Sequence, residues 1–244
     1  MKLSIIVPFY NEEKNLGDYY KYFIKENTIN DYELIFVDDF SDDNTNELLQ
    51  GLSKNNSKVK FVKNNFNKGL GGAIKTGILA SSGELITIMM SDSSDSIEDL
   101  NSYYNNIKDS DFDAIFGSRF LSKSNTQNYP IKKLILNRIF NHFVKIIFWS
   151  DYNDFTNAFK IYKKKSLEKT FPLVSESFNI FLEIPLKIIS RNLKYKIIPI
   201  NWSNKRIGES NFKIKELGSK YFFTLLYCFL EKSLILNNNK NKDN

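Results

Sequence analysis

The sequence predicts an α/β protein with a mainly parallel sheet flanked by helices. Short apolar runs rich in β-branched residues alternate with longer segments in which apolar residues recur at helical spacing. Strands that are separated by helices join through right-handed crossovers, which places them parallel in one sheet. Hydrophobic residues make up 42% of the 244 positions, which is enough to form a sizeable core.

The alternation fills the first half of the chain. Apolar runs predict strands at residues 3–7, 34–37, 59–62, 85–89 and 114–116. The segments between them predict helices at residues 11–26, 43–54, 68–81 and 97–108. Sheets of this kind bind ligands beyond the carboxyl ends of their strands, so the residues that follow each strand are the first place to look for a site.

Polar or acidic clusters follow three of the predicted strands, at residues 8–13, 38–43 and 90–95. Because the carboxyl ends of parallel strands meet at one edge, we expect these clusters to converge. Asp92 and Asp95 are separated by two serines, and such carboxylates hold Mg²⁺ or Mn²⁺ when substrate phosphates complete the shell. The alternative for an isolated pair is a turn, with Asp95 capping the helix that follows.

Charge divides the chain into two unlike halves. Residues 1–115 contain 11 basic and 19 acidic side chains, a net charge of −8, whereas residues 116–244 contain 23 and 9, a net charge of +14. The acidic first half is expected to bind a metal–nucleotide complex, and the basic second half an anionic surface. The alternative is a chance segregation of solvated charge.

Residues 131–149 predict a basic amphipathic helix. Apolar residues recur along one face, at positions 131, 134, 135, 139, 143, 146 and 147. Basic and polar residues fill the other face, at positions 132, 133, 138, 141, 142 and 145. This pattern is typical of a helix that lies flat on anionic lipid, and the alternative is an ordinary helix facing the core. Residues 214–236 predict a second amphipathic helix for a membrane or a partner, followed by a disordered tail at 237–244.

The composition argues against several classes of protein. The single cysteine, Cys228, cannot form an internal disulfide and is expected to be a small buried hydrophobe in a reducing compartment. The single histidine, His142, excludes metal sites built from several histidines.

Basic residues interleave with aliphatic rather than stacking aromatic side chains, so no nucleic acid is expected as a partner. With no leader and no long apolar run visible, we expect a cytoplasmic protein that is peripheral to the membrane.

Eight short motifs follow one another along the chain. They are I-V-P-F-Y-N-E at 6–12, V-D-D-F-S-D-D-N-T at 37–45, N-K-G-L-G-G-A at 67–73, S-D-S-S-D at 91–95, G-S-R-F at 117–120, N-R-I-F-N at 137–141, D-F-T-N-A-F-K at 154–160 and K-R-I-G-E-S at 205–210. In this order they resemble the motifs of glycosyltransferase family 2. The match is closest to the family's dolichol-phosphate mannosyltransferase-like and bacterial polyprenyl-phosphate glycosyltransferase branch.

The resemblance implies an A-type glycosyltransferase fold, with a Rossmann-like and mainly parallel sheet and with interfacial helices near the C-terminus. It implies one catalytic domain over residues 1–213. Within that domain, residues 1–115 would bind the nucleotide sugar, and residues 116–213, including the basic helix, would bind the acceptor.

The resemblance also implies a role for individual residues. The nucleotide-sugar site would be formed by Pro8, Tyr10, Glu12, Val37, Asp39, Asp92, Arg119 and Lys205. Asp92 and Asp95 would hold the metal, and Asp92 and Arg119 would be the catalytic residues. The acceptor and its phosphate would meet Arg138, Asn141, Arg206 and Ser210. A diphosphate leaving group gains negative charge as the sugar bond breaks, so cations aimed at it stabilise the transition state.

The chain departs from the family pattern at three positions. Ser91 precedes Asp92 where the family's D-x-D motif has its first aspartate, so Asp95 is the candidate for a second carboxylate. Lys205 replaces an arginine and loses its bidentate geometry, although Arg206 lies next to it. Asn211 stands where the branch often has a lysine, and Lys213 would compensate only after a local shift.

These observations lead to an expected function with open alternatives. The first hypothesis is an inverting transfer from a GDP- or UDP-sugar to polyprenyl phosphate, which is already ionised and needs no general base. The second is transfer to a hydroxyl of a growing glycan, with Glu183 or Asp154 as the base. The third is a nucleotide-sugar-binding protein without catalysis. A membrane-anchored partner subunit is left open by the sequence.

Overall fold

The computed structural model describes residues 1–203 and 214–240, with side chains in the last helix described from 218 to 235. The strands are β1 Leu3–Phe9, β2 Tyr32–Asp38, β3 Val59–Lys63, β4 Leu85–Ile88, β5 Ala114–Ser118, β6 Asn125–Gln127, β7 Lys160–Lys163, β8 Tyr195–Pro199 and β9 Asn201–Ser203. The helices are α1 Leu16–Glu26, α2 Thr45–Asn55, α3 Leu70–Ala80, α4 Ile97–Ile107, α5 Ile131–Phe148, α6 Lys164–Glu168, α7 Ile180–Ser190 and α8 Ile214–Lys240.

Seven of the strands form one sheet in the order β3-β2-β1-β4-β7-β5-β8. Every neighbouring pair is parallel except those that involve β7, which runs antiparallel to both β4 and β5. The mainly parallel sheet predicted from the sequence is therefore confirmed. The two short strands β6 and β9 pair separately, in parallel.

Two apolar cores lie on the two faces of the sheet. Successive side chains of a strand point to opposite faces, so Ile6 joins one core while Ile5 and Val7 join the other. The first core includes residues of α3, α7 and α8, and the second includes residues of α1 and α4. All seven residues of β1 are buried, as expected for a central parallel strand covered on both faces.

Helix α5 turns its apolar residues outward. Its fully buried positions are Asn141, Val144 and Phe148. Its exposed apolar side chains, together with the residue that ends the helix, are Ile131, Ile135, Leu136, Ile139, Phe143, Ile146 and Trp149. Most of the apolar face predicted from the sequence is therefore exposed within the described residues, although Val144 and Phe148 join the core.

Helix α8 differs from the prediction in two ways. It is not divided into one apolar and one polar face, since Tyr221, Leu225 and Cys228 are buried while other apolar side chains are exposed. Those exposed side chains are Phe222, Phe223, Leu226, Phe229, Leu230 and Leu234. The helical backbone also continues to Lys240, four residues past the predicted end, because each added residue of a formed helix gains a backbone hydrogen bond. Residues 241–244 of the predicted tail lie outside the described residues.

Helices α7 and α8 are joined by charged side chains as well as by the core. Lys187, which is fully buried, lies 2.9 Å from Glu183 on its own helix and 3.6 Å from Glu231 on α8. Arg191 also pairs with Glu231. Cys228 is buried nearby as predicted, and burial raises the pKa of its thiol. Over the stretches of chain that the structure describes, none of the helices combines the length and the apolar character needed to span a bilayer.

Candidate active site

The loops that follow β1 and β2 interlock at the carboxyl edge of the sheet. The backbone N–H of Asn11 donates to the Ser41 hydroxyl at 3.1 Å, and the N–H of Asp42 donates to the Asn11 side-chain oxygen at 2.8 Å. The N–H of Glu12 donates to the Thr45 hydroxyl at 2.9 Å. Asn11 and Phe40 both adopt left-handed backbone conformations, with φ of 53° and 58°. Such strained residues persist where neighbouring bonds fix them, and they are common at functional sites.

The residues predicted to contact the nucleotide fall into two groups. Pro8 and Val37 are buried and lie opposite each other in the β1–β2 register, so they shape the edge of the sheet. Tyr10 is 41% exposed, and the Lys68 ammonium lies 4.3 Å from the centre of its ring. Glu12 is partly buried and accepts a hydrogen bond of 2.6 Å from the Asn15 side chain. Tyr10 thus offers an aromatic surface that a base can reach.

Asp39 links the end of β2 to the start of α3. Its Oδ1 accepts hydrogen bonds from the Asn64 side chain at 2.7 Å and from the Gly69 N–H at 2.9 Å. Burial raises the pKa of Asp39, although the bonds from Gly69 and Asn64 act against that change. Gly69 has a φ of 143°, and a side chain there would collide with the backbone of Glu176. The glycine-rich motif therefore lets the backbone of the segment before α7 approach α3 closely.

Two clefts open around this edge of the sheet. The larger, with a volume of about 400 Å³, is lined by Asn65, Phe66, Asn67, Gly72, Lys75 and Glu176. Its wall is connected to Asp39, because the Asn64 side chain bonds both Asp39 and the Asn67 carbonyl. The smaller, about 190 Å³, is lined by Tyr22, Ser94, Asp95, Ser96, Asn125, Gln127, Asn201, Trp202 and Ser203.

Asp92 and Asp95 occupy the loop after β4 in different environments. Asp92 is partly exposed, and its Oδ1 accepts the Ser94 N–H at 3.0 Å. Asp95 is 2% exposed, and its Oδ2 accepts the Met90 N–H at 3.2 Å. Burial, reinforced by the nearby charge of Asp92, raises the pKa of Asp95 to about 7. Asp95 does not cap α4, because that helix is capped by the Ser96 hydroxyl.

Asp92 and Asp95 are the two carboxylates that would be available to a divalent cation shared with a phosphate ligand. The described residues contain no cluster of three or more His, Cys, Asp or Glu side chains suited to a metal. Mg²⁺ needs no such cage, since it is commonly held by one or two carboxylates plus substrate phosphates. The hydroxyl of Tyr19 adds a further polar atom: it is buried without a hydrogen-bond partner in the described part of the chain, and Asp95 and Asp92 act on it electrostatically.

Arg119, at the end of β5, is held by Asp154. Its Nε and Nη2 donate to the two oxygens of the Asp154 carboxylate at 2.9 and 2.7 Å, and its backbone N–H donates to the same group at 2.9 Å. Burial alone would lower the pKa of Arg119, but Asp154 more than reverses this. The rings of Phe120, Tyr129 and Trp202 surround the guanidinium, with centres 5.4–5.6 Å from its carbon.

The predicted acceptor residues lie in three places. Arg138 is exposed on α5, and its guanidinium carbon is 4.7 Å from the Phe120 ring, which also faces Arg119. Asn141, predicted to meet the acceptor or its phosphate, is 1% exposed, and its carboxamide oxygen accepts the Phe155 N–H at 2.5 Å. The remaining predicted residues lie outside the described residues, as do the compensating positions: Lys205, Arg206, Ser210, Asn211 and Lys213.

Both carboxylates that were considered as general bases are engaged elsewhere. Asp154 is fully buried and holds Arg119. Glu183 is fully buried in α7, where it accepts the backbone N–H groups of Val174 and Ser175 at 2.9 and 2.8 Å. It also pairs with Lys187. Neither arrangement leaves a carboxylate free to take a proton from a substrate hydroxyl.

Sequence reasoning missed the structural role of residues 154–157, which we call the clamp loop. Besides holding Arg119 through Asp154, this loop accepts a 2.7 Å hydrogen bond from Asn137 of α5 at the Thr156 hydroxyl. Its Asn157 side chain donates to the Gly117 carbonyl at 3.0 Å. The D-F-T-N motif drew attention to this segment. Its polar side chains form hydrogen bonds with residues distant in sequence, and these bonds cannot be predicted from the motif.

Comparison with known proteins agrees with this geometry. Residues 4–171 match the family described as Glycosyl transferase family 2. A dolichol-phosphate mannosyltransferase of Pyrococcus furiosus is 28% identical over 219 residues, which are 89% of this chain and 61% of that protein. A dolichyl-phosphate β-glucosyltransferase of Dictyostelium discoideum is also 28% identical, over 82% of this chain and 66% of that protein. The chain therefore spans somewhat less than two thirds of these relatives.

Solved structures show the same fold at low sequence identity. A glucosyl-3-phosphoglycerate synthase from Mycobacterium tuberculosis, crystallised with Mn²⁺, UDP and glucosyl-3-phosphoglycerate, superposes with a TM-score of 0.67 and 14% identity over 93% of this chain and 79% of that one. Residues 1–349 of TarS from S. aureus superpose with a TM-score of 0.60 and 20% identity over 81% and 58%. The fold is thus the A-type glycosyltransferase fold, and since the family match covers more than half of the chain, the protein belongs to glycosyltransferase family 2.

Proposed function

We propose that the protein transfers a sugar from a nucleoside diphosphate sugar to polyprenyl phosphate at the cytoplasmic face of a membrane, with inversion at the anomeric carbon. One observation carries the proposal: the exposed apolar helix α5 holds the loop that fixes Arg119. Asn141 on its inner side bonds the clamp loop, and Arg138 shares the Phe120 ring with Arg119. The acceptor would therefore arrive from the side on which apolar surface is exposed.

The donor would lie across the interlocked loops after β1 and β2. The ring of Tyr10 would stack on the base, and Asp39 would fix the nucleoside beside the glycine-rich turn. GDP- and UDP-sugars both remain candidates. The synthase of similar fold was crystallised with UDP, which supports a nucleotide-sugar donor.

The leaving diphosphate would be stabilised next to β4. Asp92 and Asp95 would hold Mg²⁺ or Mn²⁺, which supplies positive charge to the diphosphate when it is bound. Arg119, which Asp154 holds in place, would add positive charge on the same side of the site, and its charge acts to lower the pKa of Asp95. Charges that are fixed before reaction stabilise a transition state without reorganisation.

The acceptor phosphate would attack without a general base. A phosphate monoester is ionised at neutral pH, so no proton needs to be removed from its oxygen. The engagement of Asp154 and Glu183 in buried pairs supports this version over transfer to a glycan hydroxyl, which requires a free base. Arg138, exposed on the basic helix, would bind the phosphate as it approaches.

Helix α5 would rest on the anionic membrane surface. Its exposed isoleucines and Phe143 would enter the headgroup region, and Trp149, 92% exposed at the helix end, would act as an interfacial anchor. The +14 half of the chain would add electrostatic attraction to anionic lipids. The names of two relatives, which act on dolichol phosphates, favour a polyprenyl phosphate as the acceptor.

The test is an incubation of the protein with labelled GDP- and UDP-sugars, Mg²⁺ or Mn²⁺, and polyprenyl phosphate in lipid vesicles. The expected result is a labelled lipid that is hydrolysed by mild acid, with no product from the uncharged polyprenol. Transfer to neutral glycans but not to polyprenyl phosphate would support the hydroxyl-acceptor version instead. Metal-dependent donor binding without any product would point to a non-catalytic protein.

A further inference from the structure

A buried lysine lies beneath the clamp loop. Lys160, the first residue of β7, is fully buried, and its Nζ donates to the backbone carbonyls of Phe155 at 3.2 Å, Asn157, and Phe181 at 3.5 Å. Two of these carbonyls belong to the clamp loop, and the third belongs to α7. Buried charged groups are rare unless they are paired or hydrogen-bonded, so this arrangement calls for a specific role.

The number of acceptors matches the charged form of the lysine. An ammonium group has three N–H donors and no lone pair, which suits three carbonyl oxygens. A neutral amine has two N–H donors, so one carbonyl would then face a lone pair. Losing the proton would therefore leave one buried carbonyl without a donor. The Phe181 carbonyl is held in helix α7, whereas the Phe155 and Asn157 carbonyls belong to the clamp loop, which is neither helix nor strand. The loop is therefore the segment that we expect to move.

We propose that protonated Lys160 is a positioning residue that holds the clamp loop, and through it Arg119, in the arrangement needed on the acceptor side of the site. The chain of contacts is continuous. Lys160 binds the loop backbone on either side of Thr156, Asp154 at the head of the loop binds Arg119, and Asn141 ties the loop to α5.

The groups around Lys160 bring its pKa into a pH range in which the folded protein can be studied. Burial lowers the pKa of Lys160 to about 7, while Asp154 raises it, Arg119 lowers it and Asp95 raises it. The ring of Tyr152 lies 5.6 Å from the ammonium. Within the described residues, α7 also contributes the Phe181 carbonyl and, two and six residues further along the helix, the buried ion pair of Glu183 and Lys187. On β4, the Thr87 hydroxyl bonds the lysine's own carbonyl.

The protein contains a natural reporter of this arrangement. It has two tryptophans, and the ring of Trp202 lies 5.6 Å from the Arg119 guanidinium, whereas Trp149 is 92% exposed at the end of α5. Replacing the exposed one by Trp149→Phe leaves Trp202 as the sole tryptophan. Its fluorescence then follows the surroundings of Arg119 without any assay of activity.

The experiment is a pH titration of Trp202 fluorescence, from pH 5.5 to 9.5, in a parent protein that carries Trp149→Phe, Asp95→Asn and Asp99→Asn. The two aspartates are replaced because their pKa values, raised to about 7 and about 6, lie in the same range. Asp95 pairs with Trp202 through the backbone, and Asp99 bonds the neighbouring Asn201. This parent should show a transition at or below neutral pH, since removing the charge of Asp95 lowers the pKa of Lys160. Adding Lys160→Met, which cannot donate, or Lys160→Arg, which stays charged, should abolish the transition, the first resembling the alkaline parent and the second the acid parent.

A transition that survives in Lys160→Met or Lys160→Arg would overturn the proposal, as would a parent without any transition. Circular dichroism checks that each variant folds. Should Lys160→Met fail to fold, Lys160→Arg alone decides, because a persisting midpoint in that variant excludes Lys160 as its source.

The consequence for catalysis rests on the proposed function. In the unsubstituted protein, the kcat/KM for the lipid acceptor should fall about tenfold as Lys160 loses its proton, since one unpaired buried carbonyl disturbs the loop. The KM for the nucleotide sugar should not change with it, because within the described residues the Lys160 ammonium bonds the clamp loop and α7 rather than the donor loops. A fluorescence transition in a protein that transfers no sugar to lipid would refute the proposed function and leave the role of Lys160 standing.

Discussion

The carboxamide oxygen of Asn141 accepts the backbone N–H of Phe155 at 2.5 Å, which joins the inner side of the basic helix to the clamp loop. The Asn141 amide nitrogen donates to the Asn137 carbonyl at 2.9 Å, so both ends of the side chain are used. The helix whose apolar face is exposed is thus bonded directly to the loop that fixes Arg119. The following predictions test this connection and the groups around it.

Replacing Asn141 by leucine should destabilise the protein by about 1–3 kcal/mol. The change leaves the Phe155 N–H buried without an acceptor, and that is the usual penalty for such a group. Urea unfolding measures the free energy. His142→Ala, at the neighbouring exposed position, is the matched control and should change stability by less than about 0.5 kcal/mol. Equal stability of Asn141→Leu and the parent would show that the bond is not formed.

Replacing Arg119 by lysine should lower kcat/KM by about 10²-fold even though the charge is kept. A lysine cannot span both oxygens of Asp154, so the cation would lose its fixed position. Nucleotide binding, measured by calorimetry, should be changed by less than about threefold. A kcat/KM equal to that of the parent would mean that the bidentate geometry is not needed.

Replacing Asp92 by asparagine should reduce turnover by about 10³-fold and remove the effect of metal on nucleotide binding. The partly exposed carboxylate is the accessible one of the pair, so the cation would lose its main protein ligand. The measurement is the thermal shift produced by UDP or GDP with and without Mn²⁺. Asp42→Asn removes a charge from a neighbouring loop, where the side chain is 78% exposed, and should leave both readouts unchanged.

Replacing Ile139 by glutamate should weaken binding to anionic vesicles by about tenfold while leaving the free energy of unfolding unchanged. Ile139 is 64% exposed in the middle of the apolar face of α5, so a charge there opposes insertion without disturbing the core. Vesicle flotation measures the bound fraction. Leu79→Glu is the matched control, because Leu79 is 66% exposed on α3. Equal losses in the two variants would contradict a specific role for α5.

Replacing Glu33 by glutamine should lower the free energy of unfolding near neutral pH but have little effect in acid. Burial acts to raise the pKa of Glu33, but bonds from Ser4, Ser82 and Lys2 lower it to about 2 from an ordinary value of 4.5. Because the folded-state pKa is the lower one, the stabilisation is fully present above pH 4.5 and is lost as the pH falls towards 2. Urea unfolding should show a difference of about 1 kcal/mol at pH 6 that shrinks towards pH 3. A difference independent of pH would refute this origin.

The first half of the fold could be predicted because its signals are local. The strands β1 to β5 are apolar runs set between helical segments, and each was placed to within a few residues. The antiparallel strand β7 was missed, because it is only four residues long and begins and ends with lysine. The burial of Lys160 within it depends on carbonyl groups from the clamp loop and α7, which no local pattern records.

The site could be predicted in part for the same reason. The acidic and polar residues after β1, β2 and β4 stand at strand ends, where a parallel sheet places its ligands. The environment of each side chain could not be predicted. Asp95 is buried and Asp92 accessible although they lie in one loop, and Asn141 faces inward although it falls on the polar side of the helical pattern. These differences arise from partners that are distant in sequence.

The reversed direction of β7 decides which part of the chain reaches the site. A strand that runs against its neighbours begins at the edge where they finish, so the whole excursion between β5 and β7 is returned to the edge that carries Asp92 and Arg119. That excursion, about forty residues long, includes α5 and the clamp loop but no strand of the donor half. Exchanging the part of it that follows Arg119 for another segment would therefore alter the side from which the proposed acceptor arrives while leaving the strands β1 to β4 and their loops in place.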